Sequence, residues 1–266
     1  MALFQKKSPY EKEWEVLCKK EEKFIKSRIT KEESILNQKL GEKIPEKLQG
    51  TLDAAFEKAF MFVFKKGTGV IEKTYNLEKL ENEYRVNHFA NEIHQSQKTL
   101  KAFSKKASFS GAKNLLISGT SGIGMGVLGI GLPDIPIFTG LILKNIYEIA
   151  LSYGYEYKSE EEQYFILLII EGAMSYGDKM QKINYEINHY IEKRQLPDEY
   201  QKERQIQKAS RALSQELLYM KFLQGIPIVG IIGGASDMLY MKRITEYANL
   251  KYKRRFSVDC RSRESS

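Results

Sequence analysis

Residues 115–143 read LLISGTSGIGMGVLGIGLPDIPIFTGLIL, a run whose only charged residue is Asp134 and which is bounded by Lys113 and Lys144. Ser118, Gly122 and Gly126 recur at every fourth position, which puts small side chains on one helical face. A face of that kind lets a second backbone approach closely. Each internal glycine costs a helix about 0.5–1 kcal/mol relative to alanine, so the segment needs tertiary contacts to persist. Gly129, Gly131 and Pro133 end it, because proline lacks the N–H and turns the residue before it away from the helical region. Asp134 is then placed to cap a second helix with Pro136 in its first turn, running through Ile137, Leu141 and Ile146 to about Ser152. The pattern predicts a helical hairpin. Its arms fall short of the roughly 20 apolar residues that cross a bilayer, so a buried hairpin or a shallow re-entrant one fits better than a span.

Helical periodicity also dominates elsewhere, and no segment alternates like a strand. Residues 10–28 place Tyr10, Trp14, Leu17, Phe24 and Ile25 along one face, with Lys12, Lys19, Lys20, Lys23 and Lys26 beside it. This basic amphipathic helix can lie in a membrane interface or dock on the rest of the protein. Leu52, Ala55, Phe56, Ala59, Phe60 and Val63 mark a core helix ending near Gly67, and a long polar helix is expected over 77–106. The YFILLII run (164–170) is apolar all round and reads as a buried helix, with Glu171 at its margin or serving as a buried partner for a lysine. After Gly177 an amphipathic helix carries Ile183, Ile187, Tyr190 and Ile191, and Asp198 is expected to cap a helix reaching Leu223.

A second apolar segment, FLQGIPIVGIIGGASDMLYM (222–241), repeats the small-residue spacing at Gly230 and Gly234, with Asp237 its only charge. KRITEYA after it echoes KNIYEIA at 144–150, which suggests two segments with similar structural roles packed against each other. The net charge of +8 is uneven: +6 over 1–110, −3 over 111–220 and +5 over 221–266. Basic ends around an acidic middle suit anionic lipid or nucleic acid, as does the interleaving of cations and aromatics over Lys251, Tyr252, Lys253, Arg254, Arg255 and Phe256. Solvation of helix faces by lysine is the simpler reading.

GLPDIPIF followed by LKNIYEIALSYGY, which includes Gly154, and GIPIVGIIGGASD followed by a helix ending in KYKRRF together resemble the EcsC protein family over about residues 46–256. The resemblance implies no settled activity. The family's namesake is encoded beside an ABC-transporter pair, which implies a role near a membrane.

Templates for chemistry are missing: there is no Gly-x-Ser-x-Gly elbow, Walker loop or His-Glu-x-x-His. Ser110 and Lys113 match a Ser-x-x-Lys spacing without its usual companions. Cys18 and Cys260 lie at opposite ends with neither metal-site nor redox spacing, and His88 and His94 fall on different helical faces. No metal or cofactor is expected. Asp134 and Asp237 are isolated acids in apolar segments, where a bare carboxylate is costly; they are read as a helix cap and as a salt-bridge partner of Lys242 or Arg243, or alternatively as a hydrolase-like acid pair.

The sequence thus predicts an all-α protein with a basic helix over 1–29, an EcsC-like helical domain over 30–256 and a disordered tail over 257–266. The functional expectation is a non-catalytic, cytoplasmic protein peripheral to the inner face of a membrane. Its contacts would be Trp14, Lys19, Lys20, Lys23, Lys251, Lys253, Arg254 and Arg255. Its partner would be an anionic membrane surface or a membrane protein complex, with nucleic acid the weaker expectation.

Overall fold

A helix that is apolar on every side has to be covered on every side. The computed structural model, which describes residues 7–29, 46–66, 82, 84–85, 135–223 and 234–264, builds around one such helix. The described elements are α1 (Pro9–Ile29), α2 (Glu46–Lys66), α3 (Ile135–Ser152), α4 (Glu160–Ala173), α5 (Gly177–Lys193), α6 (Lys202–Leu223) and α7 (Gly234–Glu264). Among the described residues there is no strand, and the chain is all-α.

Within α4, every residue from Glu162 to Ala173 is buried. Its start is set by Ser159, whose hydroxyl accepts the Glu162 N–H at 3.2 Å, with Glu160, Glu161 and Glu162 at the favourable end of the helix dipole. The helices α5, α6 and α7 pack against it, α2 packs on α6 and α3, and α1 lies on α5 and α7. The amphipathic helix expected after Gly177 is α5, and its buried residues include Ile183, Ile187, Tyr190 and Ile191.

The two buried carboxylates of α4 are met by its neighbours, while Gln163 Oε1 has no hydrogen-bond partner among the described residues. Glu162 accepts hydrogen bonds from the Tyr252 hydroxyl and the Arg255 guanidinium. Burial pushes its carboxyl pKa up, against the pull of Arg255. Glu171 pairs with Lys179 at 3.3 Å and accepts from Gln205 at 3.1 Å, so it is the buried partner of a lysine. Gly172 lets the Tyr247 ring press in: a Cβ there would stand 2.8 Å from Tyr247 Cε1.

The echoed motifs do pack together. Asn145 on α3 donates to the Thr245 hydroxyl on α7, and Ile146, Ala150, Ile244 and Ala248 around them are fully buried. The Lys144–Glu148 pair forms at 4.0 Å, with both side chains largely covered rather than at the surface. Helix α3 begins and ends where the sequence places it, with Pro136 in its first turn. Its C-terminus closes in a Schellman arrangement: the Tyr155 N–H reaches Ala150 O and the Gly154 N–H reaches Leu151 O, both at 2.9 Å. Gly154 takes φ +80° to do this, and the Tyr84 ring occupies the space a Cβ would need.

Two expectations are corrected. The α6 helix begins at Lys202, so Asp198 lies in the preceding turn, where the Tyr200 N–H bonds to Pro197 O, and does not cap it. Residues 257–264 are helical rather than a tail, because Val258 and Cys260 pack on the core while Asp259 accepts from Tyr155 at 2.6 Å and from Arg194. The segments containing Gly122, Gly126, Pro133, Asp134 and Gly230, the expected helix over 77–106 and the Ser110–Lys113 spacing lie outside the described residues, apart from isolated positions at 82, 84 and 85.

Helix α1 is held to α7 by an ionic clasp. Its buried face is Glu13, Leu17, Glu21, Phe24 and Arg28, one stripe at three- and four-residue spacing. The fully buried Lys251 ammonium donates to Glu21, Asn184 and Asn188, which satisfies all three of its N–H groups. Arg254 reaches the other Glu21 oxygen at 2.7–2.8 Å, and Lys253 reaches Glu13 at 3.0 Å. Burial lowers the Lys251 pKa to about 8 against the pull of Glu21. Burial would raise the Glu21 carboxyl, but Lys251 and Arg254 together bring it below its ordinary range. The two groups are therefore both charged at neutral pH.

Two substitution pairs check this architecture by chemical denaturation. Gly154→Ala is expected to lose roughly 1–3 kcal/mol, because it adds a Cβ at a left-handed position against a ring. Gly140→Ala, in mid-helix with nothing within 4 Å, is expected to gain about 0.5–1 kcal/mol. Glu21→Ala strands a buried ammonium and is expected to cost about 3–5 kcal/mol. Lys251→Met leaves Glu21 with Arg254 and is expected to cost clearly less; the reverse order would refute the clasp.

Candidate functional site

Helices α1 and α7 run antiparallel: Glu13 faces Lys253, Glu21 faces Arg254, and Arg28 and Arg243 lie together at the other end. A groove of about 640 Å³ opens between them. Its apolar wall is Leu17 and Phe24 from α1, Leu250 from α7 and Tyr153 from the end of α3. Phe24 is held in place by stacking on Tyr247, with ring centroids 5.0 Å apart. Among the described residues the charged lining is one-sided, with Lys20, Lys23, Arg28, Arg243 and Lys253 against the single acid Glu246.

These cations differ in what already neutralises them. Lys253 has Glu13, and Arg243 donates to Glu216 and, at 3.0 Å, to the Tyr176 hydroxyl. Burial would lower the Arg243 pKa, but Glu216 and Tyr176 hold it above its ordinary value. The Tyr176 phenol is pushed up to about 12 by burial and by the adjacent Glu216 carboxylate. Arg28 is different. It is 4% exposed; its guanidinium carbon sits 3.7 Å from the Tyr176 ring centroid and its Nη2 donates to Ala173 O at 3.1 Å. Its Nε has no hydrogen-bond partner, and no carboxylate lies within ion-pair distance of it among the described residues. Burial lowers its pKa, and the neighbouring Arg243 adds to that.

Lys20 and Lys23 are exposed at the groove, and neither pairs with an acid among the described residues. Lys19 is exposed beside them but does not line it. Trp14 is half-buried, with the Arg254 and Arg261 guanidiniums 4.8 and 4.1 Å from its ring. The C-terminal cations grouped by the sequence reading are engaged inside the fold, although Lys253 also borders the groove. Lys251 is fully buried, and Lys253, Arg254 and Arg255 are paired with Glu13, Glu21 and Glu162. Their acids sit on α1 and α4, far away in sequence, so the run KYKRR has internal work that its local composition does not disclose.

Arg28 escaped the sequence reading, and Arg243 entered it only beside Lys242 as a candidate salt-bridge partner of Asp237, whereas it pairs with Glu216. The available signal was that Arg28 shares the stripe of Leu17 and Phe24, where a cation needs a reason to be. Pro136, Gly154 and Gly234 stand at or next to helix ends. Asp134 and the side chain of Asp237 lie outside the described residues, and so does any pairing between them. Also outside are His88 and His94, while His189 stacks on the exposed Tyr185. Among the described residues, no group of three His, Cys, Asp or Glu side chains is placed to hold a metal ion. No described helix is long and apolar enough to cross a membrane.

The chain is similar to a protein of Bacillus subtilis (strain 168) called uncharacterized protein YdbA, with 28% identity over 137 residues, 51% of this chain and 50% of that protein. It thus spans about half the length of that curated relative. No solved structure matches it. The model of the EcsC protein family matches residues 11–256, so α1 falls inside the matched region and not outside it as the motifs alone suggested. With α1 through most of α7 included in that match, the chain belongs to the EcsC protein family.

Proposed function

We propose that this protein is a non-catalytic accessory or regulatory protein that works at an anionic membrane surface on the cytoplasmic side. The observation that carries the reading is the exposed row Lys19, Lys20 and Lys23 on α1, of which Lys20 and Lys23 have no acidic partner among the described residues. Basic side chains beside an anionic leaflet contribute about 1 kcal/mol each. Lys26, on the same helix, is already engaged by Glu22 at 2.7 Å and adds less. A membrane complex such as an ABC transporter is the protein partner that the family's namesake suggests.

The C-terminal basic run is no part of this contact, since its charges are spent inside the fold. Removing residues 1–29 would strip Glu13 and Glu21 from Lys253 and Lys251, so charge variants of the full chain are the cleaner probe.

Co-sedimentation with vesicles containing phosphatidylglycerol is expected at low salt, falling as salt rises and screening shortens. Lys19→Gln/Lys20→Gln/Lys23→Gln is expected to weaken partitioning by about a hundredfold, from about 1 kcal/mol per charge. Indifference to these vesicles at low salt would sink the reading.

A further inference from the structure

The groove between α1 and α7 has more built into it than a basic surface requires. A surface contact needs only exposed charge, yet here a cation is buried where charge is costly. Arg28 is 4% exposed, lines the groove, and has its Nε unpaired. Glu216, the carboxylate whose charge acts on Arg28, is taken by Arg243 and Tyr176. Lys253 is likewise taken by Glu13. After these internal pairs are removed, Arg28, Lys20 and Lys23 remain as positive charge facing one cavity, with Glu246 the only acid in its lining among the described residues.

We propose that this groove binds one molecule of an anionic phospholipid, its phosphate on Arg28, Lys20 and Lys23 and its glycerol and upper acyl portion along Leu17, Phe24, Tyr153 and Leu250. The inference rests on the membrane-surface reading above and specifies what is recognised there. A guanidinium offers a planar fork of N–H donors that suits phosphate oxygens, while the lysines serve as mobile point charges at the mouth. The apolar wall sets the ligand class. Leu17, Phe24, Tyr153 and Leu250 are themselves nearly covered by the fold, but the surface the groove leaves open is apolar as well as polar, and a lipid's upper chain covers that part whereas a bare phosphate ion does not. The volume, about 640 Å³, lies within the roughly 300–1,000 Å³ range of small-molecule sites. Ser27 lies in the same lining and is exposed, so it is a position from which the groove can be filled without altering charge.

The test is calorimetric titration of the full chain with dioctanoyl phosphatidylglycerol below its micelle concentration. Parallel titrations use dioctanoyl phosphatidylcholine and inorganic phosphate. One saturable site per chain is expected for the anionic lipid, with both comparison ligands about fivefold weaker or more: the choline sets a cation against Arg28 and the lysines, at about 1 kcal/mol, and inorganic phosphate covers none of the apolar lining. Ser27→Trp is expected to abolish the site while leaving partitioning onto anionic vesicles in place. Lys20→Gln/Lys23→Gln, at exposed positions, is expected to weaken it about tenfold or more and carries the test if the tryptophan variant does not fold. Lys19→Gln, outside the groove, is expected to weaken vesicle partitioning alone.

The inference is overturned if no saturable binding occurs, if inorganic phosphate or phosphatidylcholine binds as tightly, or if the groove variants bind like the parent. Vesicle binding without single-lipid binding removes the groove and keeps the surface reading. Saturable, tryptophan-sensitive lipid binding with vesicle indifference does the opposite.

Discussion

A central helix without a solvent-facing side is the constraint from which the rest follows. Because α4 is buried from Glu162 to Ala173, each polar group on it has to find a partner on a covering helix or be left unsatisfied. Glu162 finds Tyr252 and Arg255 on α7; Glu171 finds Lys179 and Gln205 on α5 and α6. Gly172 takes the Tyr247 ring at close quarters, and that ring in turn stacks on Phe24 of α1. The position of the outermost helix is thus traceable, through two contacts, to a missing side chain in the innermost one.

The same constraint accounts for the direction of the C-terminal charges. A run of four cations in five residues would ordinarily be given to solvent or to an anionic partner. Here α7 is covered by α1, α3, α4 and α5, so its cations point at buried carboxylates on the elements around it. Aromatic faces supply further stabilisation: the Arg255 guanidinium lies 4.1 Å from the Tyr155 ring centroid and 5.1 Å from that of Phe165. Among the cations that line the groove, this internal pairing leaves Lys20 and Lys23 of α1 without an acid among the described residues.

Periodicity made much of the fold legible. The core stripe of α2, the all-apolar α4 and the amphipathic α5 each announced their buried faces, and the echo of KNIYEIA in KRITEYA correctly suggested that α3 and α7 meet. Spacing reports which face of a helix is buried but not what it is buried against. Glu21 and Lys251 are 230 positions apart, and nothing local to either shows that they touch. The end of α7 was misread for a related reason. SVDCRSRE looks like a polar tail, yet Asp259 has Arg194 and Tyr155 waiting for it. Of the groove, the exposed lysines of α1 could be read from the sequence. Arg28 was legible only as a cation on the stripe of Leu17 and Phe24, because the neighbours that cover it are not identified by the sequence.

The enclosure of Lys251 also makes it a natural reporter. An amine with no exposed surface is out of reach of acylating reagents, whereas Lys19, Lys20 and Lys23 are open to them. Its nitrogen becomes reachable when the last helix parts from the first, which carries Glu21, or from α5, which carries Asn184 and Asn188. The time course of acylation at that one position, followed by mass spectrometry, would therefore record how often either contact opens.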